Sequence, residues 1–458
     1  MKIYLILLLI INMLFGKELF EDYYKEAEKI LANMTIYEKI GQMFIGRYSI
    51  DTADEHIKNY HIGGFVLFAN NIQGHTEEQL IKELEERQNN SKILLSYSVD
   101  EEGGTVCRVS LYFRDERFPS PRQSYEKGGI DEILLIEKEK IDLLRKLNFT
   151  VNFAPVADIS TNESDYIHAR TLGENATLTS EYINEVVDEY CNEEFTCCLK
   201  HFPGYGNNRN THDDVAHDYR ELDYLKKNDL VPFVNAIIHK VPMIMVSHNI
   251  VHKIDDEYPS SISKKVHDLL RDYGYTGLIL TDSLSMGAIQ KYAVNVSEGA
   301  LAVLAGNDII VTSTFEKHIE QVIKAYENNE IDPQIIEKAA RRVIAWKLKY
   351  LYKIDINSTD PTDSTEPIDS TDSPGPTDST KPTDTTNSTD DSNPFNDESN
   401  QTLYIILGII IGIIAIVIII LVYLYYTKRK QKKDNNDILD EEENVLNDDK
   451  LIRDSNPN

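Results

Sequence analysis

Six polar side chains stand where short apolar runs of the chain give out: Asp100, Asp158, Lys200 with its neighbour His201, His248 and Asp282. They are acids and bases, the residue types that attack carbon centres or carry protons. A rigid strand end would hold such a group in a fixed position against a substrate. Each one alone has a plainer use. Asp282 precedes SLSMGAIQ and would cap a helix well. Their recurrence at one run after another favours a shared site over a series of caps. The cysteines and histidines show no zinc-ligand spacing, and an acid–base mechanism of this kind needs neither a metal nor an organic cofactor.

The runs that must position these groups are MFIGRY (43–48), GGFVLFA (63–69), ILLSYSVD (93–100), VNFAPVAD (151–158), FTCCLKHF (195–202), PMIMVSHN (242–249), GLILTDS (277–283) and DIIVTS (308–313). Short apolar or β-branched stretches of this kind suit strands buried on both faces. Charged stretches with helical period lie between most of them, such as 77–88, 130–147 and 180–194. Eight strands alternating with helices predict an α/β fold, a (β/α)8 TIM-like barrel over residues 17–354. A doubly wound open sheet is the runner-up, because a strand count does not show closure. In a barrel the active groups belong on the face where strands end.

The chain has 458 residues and a formal net charge of −29. That balance argues against nucleic acid as a partner, since phosphate binding needs clustered Lys and Arg. Residues 1–16, MKIYLILLLIINMLFG, place one Lys before an apolar run, the order of a signal peptide. Residues 403–426 contain no charge and would span about 36 Å as a helix, enough for one membrane crossing. Lys428, Arg429, Lys430, Lys432 and Lys433 follow, which puts 427–458 in the cytosol as a short tail. Residues 17–402 are then extracellular or lumenal, the topology of a single-pass type I membrane protein. Residues 355–402 are rich in Ser, Thr, Pro and Asp and carry too little apolar surface to order, so they form a disordered stalk. Glycosylation sequons at Asn33, Asn89, Asn148, Asn162, Asn175, Asn295, Asn357, Asn387 and Asn400 fit this topology. In an oxidising compartment Cys191 and Cys197 are the first candidates for a disulfide.

Several stretches carry a family likeness. VDEEGGTVCR (99–108), NFAPVADI (152–159), ARTLGENA (169–176), LKHFPGYG (199–206) and GYTGLILTDSLSMGAI (274–289) occur in one order across the domain. Residues 17–350 thereby resemble the barrel domain of glycoside hydrolase family three, in its single-domain β-N-acetylglucosaminidase (β-N-acetylhexosaminidase) group. KHFPG and TDSLSM together are specific; EEGG alone is weak. The resemblance implies a retaining hydrolase acting on saccharides that contain N-acetylglucosamine, with Asp282 as the nucleophile. A retaining glycosidase needs such a carboxylate to form a glycosyl-enzyme ester. It also implies sugar contacts for Asp100, Arg108, Arg170, Lys200, His201 and Met286. The alternative for Arg170 and Lys200 is an internal salt-bridge network in the barrel mouth. Gly103 and Gly104 are expected to serve tight backbone geometry.

The acid/base is where this chain departs from the family pattern. Family members use a His on a loop after KHFPG, oriented by an Asp two residues earlier. Here the stretch is KHFPGYGNNRNTHDDVAHDYREL, and alignment on Asp218 and Arg220 puts His212 at the acid/base position. Asn210 then holds the orienting position, and Tyr205 stands where the family usually has His. Asn accepts a bond from the imidazole but does not stabilise the imidazolium; in serine proteases the comparable change costs about 10⁴ in turnover. Asp213 or Asp214 are candidates to supply the missing charge, with His217 a weaker substitute acid. Two other functions follow from this departure and from fold alone: a sugar-binding receptor or adhesin that has lost efficient catalysis, or a β-glucosidase. The stalk directly after the barrel disfavours the latter. Oligomeric state is left open.

Overall fold

The computed structural model describes residues 17–173, 175–206, 216–285 and 289–354. The signal peptide, stalk, membrane-helix and tail assignments fall outside the described residues, as do Asn210, His212, Asp213, Asp214 and Met286. Among the described residues no helix is long and apolar enough to cross a membrane.

Each of the eight apolar runs contains a strand: β1 (Phe44–Arg47), β2 (Gly64–Val66), β3 (Ser96–Val99), β4 (Val151–Asn152), β5 (Thr196–Phe202), β6 (Met243–Val246), β7 (Leu278–Thr281) and β8 (Ile310–Thr312). They pair in parallel, in order from β1 to β7, with β8 on the other side of β1. The ring closes between β7 and β8 through a parallel bridge, Leu280 to Ile309, and a backbone bond from Leu284 N to Val311 O of 3.0 Å. That closure selects the barrel over the open sheet.

Helices fill the connections between strands. Thr76 and Ser120 each form a capping box, with Gln79 and Gln123, at the starts of Glu77–Asn89 and Pro121–Lys146. The helix expected over 130–147 is thus the second part of a longer one, broken at Gly128 and Gly129. Asn175 caps Ala176–Asn192 by accepting from Thr177 N and Leu178 N.

Side-chain alternation splits the core in two. Ile45, Val66, Cys198, Met245, Leu280 and Val311 belong to one cluster, and strands from around the ring meet this way only inside the barrel. Phe44, Phe65, Cys197, Ile244 and Ile279 belong to the other, against the helices. The helices Tyr24–Leu31 and Pro333–Tyr350 join the inner cluster and close the end where strands begin. There Trp346 Nε1 donates to Thr196 Oγ1 (3.0 Å), and Lys347 Nζ donates to Gln42 Oε1 and Gly63 O (both 2.7 Å).

One expectation needs correction. Cys191 and Cys197 are not bonded; all four cysteines are free thiols. Cys191 Sγ instead donates to Lys240 O at 3.9 Å, and Cys197 is buried among apolar side chains outside the barrel.

Candidate active site

The strand ends bring the motif residues together. Asp100 follows β3, and its Oδ1 meets Lys200 Nζ of β5 at 2.7 Å. Lys200 also contacts Glu102 Oε1 at 2.5 Å. Arg170 grips the same carboxylate with two bonds, Nε to Oε2 (2.8 Å) and Nη2 to Oε1 (2.7 Å). This planar two-point contact is the strong form of an ion pair. The salt-bridge network held open as the alternative for Arg170 and Lys200 therefore exists, and it sits at the C-terminal mouth of the barrel.

Two cations and two carboxylates balance in this network. Burial alone would push Glu102 up, but Arg170 and Lys200 beside it hold it well below the usual carboxylate range. Burial likewise opposes the charge on Lys200, yet Asp100 and Glu102 raise it above its ordinary value. Donors fixed in this way would meet a polar ligand without reorganising.

His201 is 5% exposed and faces Arg170, with Nε2 3.4 Å from Arg170 Nη2. Its Nδ1 lies 2.7 Å from Asp158 Oδ2. Asp158 is an acceptor, so Nδ1 carries the proton and Nε2 presents a lone pair. Asp158 also accepts from Tyr205 N at 2.6 Å. Tyr205 is buried and sets its ring edge-on to His201, centroids 5.7 Å apart.

Asp282 follows β7 directly. Leu278 and Leu280 point into the barrel, and the period of two carries Asp282 to the same side. Register agrees, since Thr281 pairs with Val246 and Val246 with Phe202. The Cys198 thiol inside the barrel, raised mainly by its burial, feels Lys200, Asp100 and Asp282 together. Asp282 N donates to Val246 O (3.0 Å), and Ser283 N to Asp282 Oδ1 (2.7 Å). Among the described residues no α-helix starts at Ser283, where a helix cap would require one; a short 3-10 turn, Gln290–Tyr292, comes next. His248 braces this segment, with Nε2 2.9 Å from Ser283 O and Nδ1 2.7 Å from Ser261 Oγ.

Arg108 is half-buried, and its Nε has no hydrogen-bond partner among the described residues. Gly103 and Gly104 take φ of 99° and 61°, and a Cβ on Gly103 would stand 2.2 Å from Pro119 O. Both glycines thus serve geometry, as the sequence suggests.

Residues 207–215, on which the acid/base expectation falls, lie outside the described residues, between Gly206 and Ala216. Just past them Arg220 holds Asp218 through Nε and Nη2 (3.0 and 2.6 Å to Oδ2) and Asp229 through Nη1 (2.8 Å to Oδ1). Burial pushes Asp229 up to about 6 against the pull of Arg220. His217 is exposed, and its Nδ1 lies 2.9 Å from His252 Nε2, with Tyr219 stacked on His252 at 4.2 Å.

The sequence reading did not single out either acid that follows Asp100, Glu101 or Glu102, and Glu102 is the centre of the Lys200–Arg170 network. A signal existed: two acids between a strand-end Asp and a Gly pair, with Arg170 and Lys200 elsewhere in need of partners. Among the described residues no group of three or more His, Cys, Asp or Glu is placed to hold a metal ion.

With this geometry in place, comparison with known proteins identifies the class. Residues 35–346 match the model of the glycosyl hydrolase family 3 N-terminal domain. The chain belongs to glycoside hydrolase family three. Among curated relatives, Beta-hexosaminidase A of Pseudoalteromonas piscicida is 27% identical over 329 residues, covering 64% of this chain and 54% of the relative. Beta-hexosaminidase LpqI of Mycobacterium tuberculosis is 26% identical over 334 residues, covering 70% of this chain and 85% of the relative. A solved β-N-acetylglucosaminidase of the family from a Paenibacillus species superposes with a TM-score of 0.66 at 27% identity, covering 73% of this chain and 66% of that one. The chain thus spans about half the length of the Pseudoalteromonas relative.

Proposed function

We propose that the protein is a retaining β-N-acetylhexosaminidase that removes terminal β-linked N-acetylglucosamine through a covalent glycosyl-enzyme. What supports this reading is that Asp282 directly follows β7, at the same end of the barrel as the Asp100–Lys200–Glu102–Arg170 network beyond β3 and β5. Asp282 attacks the anomeric carbon while the bond to the leaving oxygen breaks, and His212 gives that oxygen a proton. In the second half His212 takes a proton from water, the hydroxide attacks the same carbon, and the ester to Asp282 breaks. Lys200, Arg170, Arg108, His201 and Asp100 hold hydroxyls and the N-acetyl region, with Met286 as an apolar contact. Asn210 orients His212 without the charge an Asp would supply. The relatives named β-hexosaminidases and the motif order support the sugar class.

The same proposal places the barrel on the extracytosolic side of a membrane, held by the stalk 355–402 and the helix 403–426. The uncharged run and the basic residues after it support that placement.

The test is release of an aryl group from an aryl β-N-acetylglucosaminide. Wild type should release it, and Asp282→Ala should lose at least about 10³ in turnover. Asn210→Asp should speed turnover if the dyad limits the rate, up to about 10⁴ by the serine-protease comparison. Asn210 also favours a second reading, a sugar receptor. Tight binding of N-acetylglucosamine with no release by wild type would select it.

A further inference from the structure

The acidic pair in EEGG has two different jobs. Glu102 points to Lys200 and Arg170. Glu101 turns the other way and is fully buried. Its Oε2 accepts from Arg108 N and Val109 N, both at 2.7 Å, and its Oε1 accepts from Ser110 N at 3.3 Å and from Ser110 Oγ. Four donors on three consecutive residues converge on one carboxylate.

The other side of Glu101 is held as firmly. Its N–H donates to Asn152 Oδ1 (3.0 Å), and Asn152 Nδ2 donates back to Glu101 O (3.1 Å). Asn152 lies on β4, and its Nδ2 also reaches Tyr190 Oη at 2.9 Å. The intervening chain makes a tight turn, with Glu102 N donating to Val106 O (2.9 Å) and Val106 N to Gly103 O (3.2 Å). Chain leaving β3 thus loops through the two glycines and is tied back to the strand end by the Glu101 side chain. The residue tied first is Arg108.

We infer that Glu101 is a positioning residue that sets the Arg108 guanidinium for substrate. This rests on the proposed sugar contact of Arg108. Arg108 Nε is buried without a partner among the described residues, so no described acceptor fixes that atom. The backbone N–H of Arg108 is in turn fixed by Glu101. Hydrogen bonds to a buried charged acceptor are among the stronger kind, and losing one leaves a buried donor unmet.

The experiment is a double-mutant cycle on the full chain, read by KM for the aryl β-N-acetylglucosaminide and by Kd for free N-acetylglucosamine in calorimetry. Glu101→Gln should raise KM and Kd about tenfold with kcat changed far less, because an amide nitrogen cannot accept. Arg108→Ala should do at least as much. Combining the two should add little to Arg108→Ala alone, since both act through one guanidinium. Ser110→Ala removes one of the four bonds to Glu101, together with the bond Ser110 Oγ accepts from Phe118 N (3.3 Å), and keeps the three backbone ones. It should give a smaller shift in the same direction, and it stands in if Glu101→Gln does not fold. The inference is overturned if Glu101→Gln or Ser110→Ala lowers the melting temperature with KM and Kd unchanged, or if the effects multiply in the Arg108→Ala background. Sugar binding without hydrolysis by wild type would fail the hydrolase reading while leaving the Kd cycle decisive for Glu101.

Discussion

Glu102 is the residue on which the mouth of the barrel depends most. It neutralises parts of both Arg170 and Lys200, and it is 2% exposed at the side chain. Replacing it by Gln keeps the shape and removes one of two negative charges facing two buried cations. Removing one partner of a buried pair costs about 3 kcal/mol or more. Glu102→Gln should therefore lower unfolding free energy at pH 7 by about that amount and cut kcat/KM by about a hundredfold. The pH dependence has a definite sign. The folded-state pKa of Glu102 lies below its unfolded value, so its stabilisation is present above the ordinary carboxylate range and lost as pH falls. The gap between wild type and variant in denaturant titrations should shrink below about pH 4.3. A gap independent of pH would remove Glu102 from the role assigned to it. At this scale the sequence shows which groups are acids and bases, and their strand-end positions bring Asp100, Lys200 and His201 to one network through Arg170 and Glu102. It does not show pairing. Glu102 meets partners 68 and 98 positions along the chain, and no local pattern encodes such a match.

Elements decide where these groups are held, and the loop that carries the proposed acid/base, 207–215, is flanked by residues that Arg220 ties together. Arg220 spends its donors on Asp218 and Asp229, and its Nη2 lies 2.4 Å from where a Cβ on Gly206 would be. One guanidinium thus packs on the start of the loop and ties its end. Arg220→Met fills similar volume but leaves two carboxylates of 3% and 2% exposure without their cation. It should lower kcat about tenfold or more with a smaller change in KM, because Arg220 and its two carboxylates neighbour the proposed acid/base His212 in sequence rather than the proposed sugar contacts. Arg220→Lys should recover little, since an ammonium does not match two carboxylates bidentately. Equal loss in KM and kcat would place the defect in the sugar site instead. The strands themselves were legible because a strand buried on both faces leaves a continuous apolar run. Their lengths were less so. The run 151–158 is a regular strand only over Val151–Asn152, and past Pro155, which has no N–H, its pairing with β5 resumes as a single bridge from Val156 to Lys200. The parallel pair His217–Asp218 with Ile250–Val251 was invisible, as two residues show no period.

The whole molecule closes its far end with a lysine. Lys347 is 1% exposed in the helix Pro333–Tyr350, beneath the strand starts, and burial alone pushes it down to about 7. Its two acceptors, Gln42 Oε1 and Gly63 O, match the two N–H bonds of a neutral amine. A single buried Lys in a helical stretch gives no sign of this in sequence, because the barrel floor exists only after residues 42, 63 and 347 have met. The consequence is a pH-dependent stability with an unusual direction. Between about pH 7 and the ordinary lysine value near 10.4, the unfolded chain binds a proton that the folded chain does not, so stability rises with pH. Below about 7 the cost of charging or desolvating this amine is fully present. Lys347→Met removes the titration but leaves both acceptors unmet, a loss of about 1–3 kcal/mol. The unfolding free energy of wild type relative to the variant should therefore fall steadily as pH drops from about 10 to about 7 and level off below that. Denaturant titrations of both proteins across that range measure it, and parallel curves would mean that Lys347 is charged in the folded barrel and that its pairing with the floor has been misjudged.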